Sequence, residues 1–161
     1  MSPVLAPDHI ETGLFAGLTM TVDQLDLAAL DGLRVGVLAA TSQHVRVLPD
    51  VVRHAAKTKL FLTRPVNVIP ASRLGLGLQL VAPLARSLAC VHRWRAVPEP
   101  ELRRKITPLG RPVSVVVSSE YLRAVQHPRC SVVSWPVAGV VAAGVRTADG
   151  LEHHVDVIFS C

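Results

Sequence analysis

The stretch that decides the fold runs from Leu33 to Pro65 and reads LRVGVLAATSQHVRVLPDVVRHAAKTKLFLTRP. It opens with an apolar run, which predicts a strand over Arg34–Ala39. Small residues follow, and apolar side chains then recur at helical spacing over Val45–Ala55. A second apolar run predicts a strand over Lys59–Thr63. The order strand, turn, helix, strand predicts a βαβ unit and therefore a parallel sheet.

The turn between the first strand and the helix lacks the glycines that a dinucleotide-binding turn normally has. Glycine permits the tight turn and lets a pyrophosphate approach the backbone amides at the helix N-terminus. Ala39 and Thr41 add β-carbons there, and Thr41 is also β-branched. Two interpretations follow. Either a weakened nucleotide site uses the helix N-terminus with Thr41, Ser42 and Arg64, or the fold is retained while its site no longer binds.

The sequence divides into a short first segment and one domain. Residues 1–32 predict irregular structure, with a short helical turn at Leu25–Leu30. Residues 33–161 predict an α/β domain with a Rossmann-like fold, a helical insertion at about 71–108 and a C-terminal β-hairpin. Residues 66–108 lack strand character, and the predicted helices of the insertion are Leu74–Trp94 and a charged helix that begins at Glu99 or Pro100.

The last third of the chain returns to strands. The predicted elements are strands at Val113–Ser118, Ser131–Ser134, Val137–Val141, Gly144–Thr147 and His154–Phe159, and a short helix at Glu120–Gln126. Only Ser160-Cys161 follow the final strand. Because ligands of open α/β sheets bind at the carboxyl ends of strands, we expect the lack of a following loop to remove site residues.

Composition indicates a globular chain with a basic surplus. Half of the 161 residues are hydrophobic, and the formal net charge is +5. Most of the surplus lies in Arg93–Arg111, which indicates either a phosphate or nucleic-acid surface or a solvated helix face. Glu99 and Glu101 interrupt this run, and no aromatic stacking platform accompanies it. The solvated face is therefore favoured, and no nucleic-acid partner is expected.

Histidine and cysteine form no pattern that predicts a metal site or a catalytic nucleophile. Cys90 and Cys130 lie in apolar surroundings and predict packed thiols, and the three cysteines lack zinc or disulfide spacing. His153-His154 has no acidic or cysteine partner at metal spacing and predicts surface residues. His44 is predicted to be either a solvated side chain or a hydrogen-bond donor to an anion.

Targeting signals are also not evident. The first residues lack a basic region followed by an apolar one, so no signal peptide is predicted and a cytoplasmic location is expected. The apolar run Leu74–Val91 approaches the length of a membrane span. It contains Gln79, Pro83 and Arg86, so a buried helix is favoured and no membrane partner is expected.

Three stretches resemble a known family: VPEPELRRKITP (97–108), SSEYLRAVQHPRCSVVS (118–134) and GVRTADGLEHHVDVIF (144–159). On these, the chain from about Pro7 to Phe159 resembles flavin-dependent Baeyer–Villiger monooxygenases and the wider flavin-containing monooxygenases. The resemblance implies an NADPH-binding domain of the kind that is inserted into an FAD-binding domain. It also implies oxygenation of ketones or similar small organic substrates by the whole enzyme.

The chain departs from that family at its motifs. The fingerprint Phe-x-Gly-x-x-x-His-x-x-x-Trp retains Phe15 and Gly17, but Thr21 and Leu25 replace its histidine and tryptophan. The second dinucleotide motif, Gly-x-Gly-x-Ser/Ala, aligns with residues 39–43 and has lost both glycines. The Arg-Thr pair that contacts the NADP 2′-phosphate is reversed as Thr63-Arg64, and the FAD motif Gly-x-Gly-x-x-Gly does not occur. The cofactor-binding positions that the resemblance implies are Thr41, Ser42, Gln43, Thr63 and Arg64.

These departures predict that NADP binding is weak or lost and that FAD is present only if a partner chain supplies it. The chain by itself is then expected not to oxygenate substrate. It is either a monooxygenase remnant or one half of a split flavoenzyme. The alternative is a non-catalytic Rossmann-like binding or scaffold module. Because the flavin domain is missing, we expect an exposed apolar edge or face, and hence an FAD-domain partner or self-association.

Overall fold

The computed structural model describes residues 14–62, 66–71, 82–107 and 115–161. Within them the elements, in chain order, are β1 (Leu18–Thr21), β2 (Arg34–Ala39), α1 (His44–His54), β3 (Lys57–Leu62), β4 (Asn67–Ile69), α2 (Ala82–Ala96), α3 (Pro100–Lys105), β5 (Val115–Val117), α4 (Tyr121–Val125), β6 (Cys130–Val133), β7 (Val137–Val141), β8 (Gly144–Thr147), β9 (Glu152–His154) and β10 (Val157–Ser160). Two 3₁₀ turns, Val22–Gln24 and Ala28–Leu30, lie between β1 and β2.

A parallel sheet of five strands, in the order β1-β10-β2-β3-β6, forms the centre of the fold. Strands β2 and β3 pair along their full length, from Arg34 with Lys57 to Ala39 with Leu62, and α1 connects them. Strands β4 and β5 form a separate parallel pair, and β7, β8 and β9 form an antiparallel sheet. The predicted α/β, Rossmann-like fold is confirmed, and the predicted C-terminal hairpin is present with β9 as a third strand.

The parallel sheet is covered on both faces, because alternate side chains of a strand point to opposite sides. On one face, Val37 and Leu60 pack in a large cluster with the apolar stripe of α1, which includes Leu48. On the other face, Leu38 and Phe61 pack in a smaller cluster with residues of the antiparallel sheet. Each face of β2 and β3 therefore has its own core.

Two strands occur where the sequence predicts none. Residues 1–32 are predicted to be irregular, but β1 lies at Leu18–Thr21 and pairs with β10, from Leu18–Val157 to Thr21–Ser160. Residues 66–108 are predicted to lack strands, but β4 pairs with β5. Both predictions are wrong because these strands are defined by distant pairing partners, which a local apolar pattern does not reveal. The predicted helical turn at Leu25–Leu30 is found at Ala28–Leu30.

The predicted final strand, His154–Phe159, is divided into two strands that belong to different sheets. Strand β9 pairs with β8, and β10 enters the parallel sheet. Between them, the backbone N–H of Asp156 donates to the carbonyl of Arg34 over 2.8 Å. The Asp156 carboxylate in turn accepts a hydrogen bond from the backbone N–H of Arg34, at 2.9 Å. These contacts fix the point at which the chain passes from one sheet to the other.

Candidate functional site

The candidate nucleotide site is the β2–α1 loop, residues 40–43, which follows the carboxyl end of β2. Within the described ranges, positive φ angles occur only at glycines, and none of these is in the loop. The loop therefore forms without glycine, because its backbone never enters the left-handed region. The missing glycines affect how closely a ligand could approach, but they do not prevent the turn.

The first two backbone amides of this loop already have partners. The N–H groups of Ala40 and Thr41 both donate to the backbone oxygen of Cys161, over 2.8 and 2.9 Å. In a Rossmann fold a dinucleotide pyrophosphate is bound by free backbone amides at the N-terminus of the helix. The amides of Ala40 and Thr41, which precede α1, could bind it only if they released the Cys161 oxygen.

The side chains of the loop form a local turn. The Thr41 hydroxyl accepts a hydrogen bond from the backbone N–H of Gln43 at 3.2 Å. Thr41 and Gln43 are exposed and Ser42 is partly exposed, and no side chain caps the start of α1. Thr41, Ser42 and Gln43 lie in this loop, and their binding of a cofactor stays a prediction. The other two predicted site residues, Thr63 and Arg64, lie outside the described residues and stay a prediction.

His44 is fully buried, so both sequence interpretations, a solvated side chain and an anion donor, are wrong. Its Nδ1 lies 2.5 Å from the carbonyl oxygen of Thr41, and its Nε2 lies 3.3 Å from the hydroxyl of Tyr121. A carbonyl can only accept, so Nδ1 carries the proton and Nε2 accepts from Tyr121. Burial lowers the pKa of His44, which favours this neutral form.

The burial of His44 could have been predicted from its spacing in the sequence. His44 and Leu48 are four residues apart and both are buried on α1, so the histidine occupies a position of the apolar stripe. A histidine in such a stripe indicates a core residue with internal partners. Burial also raises the pKa of its partner, Tyr121.

His153 is likewise buried, so the prediction of two surface histidines holds only for His154, which is exposed. The Nζ of Lys59 lies 3.2 Å from Nδ1 of His153, and the Thr147 hydroxyl lies 3.1 Å from its Nε2. The ring of Phe61 meets the imidazole edge-on, with centroids 5.3 Å apart. Sequence reasoning missed this cluster, because its members lie on β3, β8 and β9.

The basic segment is only partly a solvated helix face. Arg93 is buried, and the guanidinium of Arg103 lies 5.8 Å from the ring of Trp94 and donates to the carbonyl of Val97. Arg104 and Lys105 are exposed, as predicted. Several of the cations in this segment thus stabilise the link between α2 and α3.

Of the two thiols predicted to be packed, Cys130 is partly buried, and burial raises its pKa to about 12. Cys90 is exposed, so the prediction is wrong for it. The described residues contain no group of three or more histidine, cysteine or acidic side chains that could hold a metal ion. In the same part of the chain, no helix is long and apolar enough to cross a membrane. A cytoplasmic location stays a prediction.

The parallel sheet and the β2–α1 loop define a Rossmann-like α/β domain. Solved flavin Baeyer–Villiger monooxygenases share this fold, which confirms the resemblance at the level of the fold. Cyclohexanone monooxygenase from Rhodococcus sp. Phi1 bound to NADP⁺ superposes with a TM-score of 0.77 and 18% identity, over 92% of this chain and 42% of that one. OTEMO in an FAD-bound form gives 0.79 and 16%, over 99% and 45%. Steroid monooxygenase bound to NADP gives 0.72 and 16%, over 92% and 42%.

The chain therefore spans less than half the length of these structures. No family model matches the sequence, and no curated protein matches it.

Proposed function

We propose that this chain is part of an FAD/NADPH-dependent monooxygenase and does not oxygenate a substrate by itself. The proposal is supported by the fold, which follows Baeyer–Villiger monooxygenases over 91–99% of this chain but less than half of theirs. Such enzymes act on ketones or similar small organic substrates, and we assign that substrate class to the whole enzyme and not to this chain.

The observation that carries the proposed inactivity is the use of the loop amides by Cys161. The N–H groups of Ala40 and Thr41, at the start of the loop, already donate to one backbone oxygen, so neither is free for a pyrophosphate. The β-carbons of Ala39 and Thr41 also stand where the family has glycine. The residues present do not fit a tightly bound NADP, so we propose that its binding is weak or lost.

Flavin chemistry requires a second component. A flavin carries out the oxygenation, and the protein binds it and positions the reactants. Since these 161 residues contain no Gly-x-Gly-x-x-Gly motif, we propose that they do not bind FAD themselves and that an FAD-domain partner chain supplies it. This is the split-enzyme form of the proposal.

The proposal is tested on the purified chain by three measurements. We expect no flavin absorbance, no NADPH-dependent oxygen uptake, and no shift of the melting temperature on titration with NADPH. A bound flavin together with oxygen uptake would overturn it. If the same chain mixed with a candidate FAD-domain protein consumes oxygen with NADPH, while neither protein does so alone, the split-enzyme form is supported.

A second candidate is a non-catalytic binding or scaffold module, and the occupied loop amides favour it as well. In the described sheet, β1 is an edge strand; its first residue, Leu18, is 48% exposed, and Leu14, which precedes it in the chain, is 74% exposed. Exposed apolar residues on an unpaired edge are a common place for another chain to bind. We therefore propose self-association or an FAD-domain partner at this edge. A monodisperse monomer in sizing chromatography, unchanged by Leu18→Lys, would contradict self-association.

A further inference from the structure

A cavity of about 320 Å³ lies at the opposite end of the sheet from the β2–α1 loop. Its lining includes Arg34 and Lys57, the first residues of β2 and β3. Since each of these strands has six residues, the cavity is about 17 Å from the loop at the carboxyl ends. Lys59 of β3 and the exposed His154 of β9 also line it. We call it the basic cavity.

The charges in the basic cavity do not balance. The guanidinium of Arg34 is paired with Asp156, at 2.6 Å, and the carboxylate of Glu152 is paired with Arg146. Neither pair adds net charge. Lys57 and Lys59 form no ion pair with any described acidic residue. Two positive charges thus remain in one hollow without a counter-charge.

The two lysines point to the same side of the sheet. They are two residues apart on β3, and alternate residues of a strand share a face. Gly36 is the register partner of Lys59, and it has no side chain to occupy the space. An added β-carbon there would lie 3.3 Å from side-chain atoms of Phe61 and Val155, so these side chains would have to shift by a few tenths of an ångström to admit it.

Lys59 is held in place by the buried cluster behind it. An ammonium group can only donate, so Nδ1 of His153 accepts from Lys59 and Nε2 donates to the Thr147 hydroxyl. That hydroxyl donates in turn to the carboxylate of Asp149, at 2.5 Å. One N–H of the Lys59 ammonium donates to His153 in this series of hydrogen bonds. The other N–H groups of the ammonium can donate to another acceptor.

The crowding of cations here is unfavourable. Burial lowers the pKa of Lys59, and the neighbouring charges of Lys57 and Arg34 lower it further. A bound anion would relieve this repulsion. An anion with two charges would match the two unpaired lysines.

We propose that the basic cavity binds a small phosphomonoester, through Lys57 and Lys59 with the exposed His154 at its rim. A hollow of this size is within the range of small-molecule sites, and Val155, on the same face of the sheet as Gly36, adds apolar surface to its lining for the organic part. The two ammonium groups bind the phosphate oxygens as point charges. This site is separate from the β2–α1 loop and does not depend on the proposed monooxygenase function.

Phosphorus NMR titrations with inorganic phosphate and with phenyl phosphate, at an ionic strength held constant with sodium chloride, test the proposal. We expect saturable binding of both, tighter for phenyl phosphate because its ring can contact the apolar side chain of Val155. Lys57→Gln removes an exposed charge without touching the buried cluster, and it should weaken both affinities about tenfold. Circular dichroism confirms that the variant is folded.

Two matched variants identify the site. Lys105→Gln removes the same charge from α3, beside Ile106, which belongs to the cluster on the other face of the sheet. Ser42→Ala alters the β2–α1 loop. Both should retain the affinity of the unaltered chain within about twofold. Absence of saturable binding, an equal loss in Lys57→Gln and Lys105→Gln, or a loss in Ser42→Ala would each overturn the proposal.

Discussion

The two ends of the parallel sheet differ in what they leave free. At the carboxyl end, the amides of Ala40 and Thr41 are used by Cys161, and the first residue of α1, His44, is turned into the core. At the amino end, Lys57 and Lys59 have no acidic partner among the described residues. At the end where Rossmann folds bind their ligands, two loop amides are already occupied, while at the other end two lysine ammonium groups have no acidic partner among the described residues.

This contrast shows that donors at the usual ligand site of a fold can be occupied by the protein itself while the fold is retained. Backbone amides have fixed directions, so a single internal acceptor can occupy them without changing the strand, the turn or the helix. Lysine charges can be added at a strand end without any change in the apolar pattern that specifies the sheet.

Gly144→Ala should destabilise the antiparallel sheet that covers the basic cavity. Gly144 has φ +153°, and an added β-carbon would lie 2.0 Å from the carbonyl oxygen of His153. We expect the free energy of unfolding to fall by about 3 kcal/mol, measured by urea denaturation. Gly139→Ala in the same sheet is the control, because a β-carbon there meets nothing within 4 Å. Equal losses in both variants would contradict the argument.

Tyr121→Phe should destabilise the carboxyl end by about 1–2 kcal/mol, because it leaves Nε2 of His44 buried without a donor. The ring keeps its packing, so the loss reports the missing hydroxyl. Chemical denaturation measures the loss in the free energy of unfolding, and imidazole NMR shifts report the tautomer and protonation of His44. A loss below about 0.5 kcal/mol would mean that this hydrogen bond contributes little.

Restoring both glycines, as Ala39→Gly with Thr41→Gly, tests why the loop does not bind. We expect no NADPH-induced shift of the melting temperature, because the amides of Ala40 and Thr41 still donate to Cys161. Stability should fall by about 1 kcal/mol from the added backbone freedom. Saturable NADPH binding by the double variant would show instead that the β-carbons alone exclude the pyrophosphate.

Cys161→Ser should flatten the loss of stability in alkali. Burial raises the pKa of Cys161 from 9.0 to about 12, so between these values the folded state binds more protons than the unfolded state. The free energy of unfolding must therefore decrease as pH rises from 9.0 to about 12. Denaturation at several pH values measures the slope. Cys90→Ser, which changes an exposed thiol, should leave the slope unaltered.

Asp156→Asn should have the smallest effect on the free energy of unfolding. This effect should appear only in acid. The hydrogen bonds from Arg34 lower the pKa of Asp156 from 3.8 to about 2. Its contribution is complete above pH 3.8 and is lost as pH falls toward about 2, so the variant should show a shallower slope there. Asp23→Asn, in the exposed Val22–Gln24 turn, is the control. Identical acid profiles for the two variants would contradict this.

The sequence predicted the central unit well and the surroundings of the site poorly. The β2–α1–β3 order follows from local periodicity. The strand β1 was missed because only its pairing with β10 defines it. The burial of His153 was missed because its partner Lys59 lies 94 residues away in the chain. Local patterns do not encode such pairings.

The sequence by itself determined the strand–helix–strand unit and the loss of its glycines, because apolar spacing and residue type are local properties. Only the tertiary structure decided which donors remain available. The register of β10 beside β2 brings the backbone oxygen of Cys161 to the amides of Ala40 and Thr41. The residue Val155, between β9 and β10, lines the basic cavity together with Lys59. Both results depend on segments more than 90 residues apart, as the 123-residue separation of Cys161 from Leu38 illustrates.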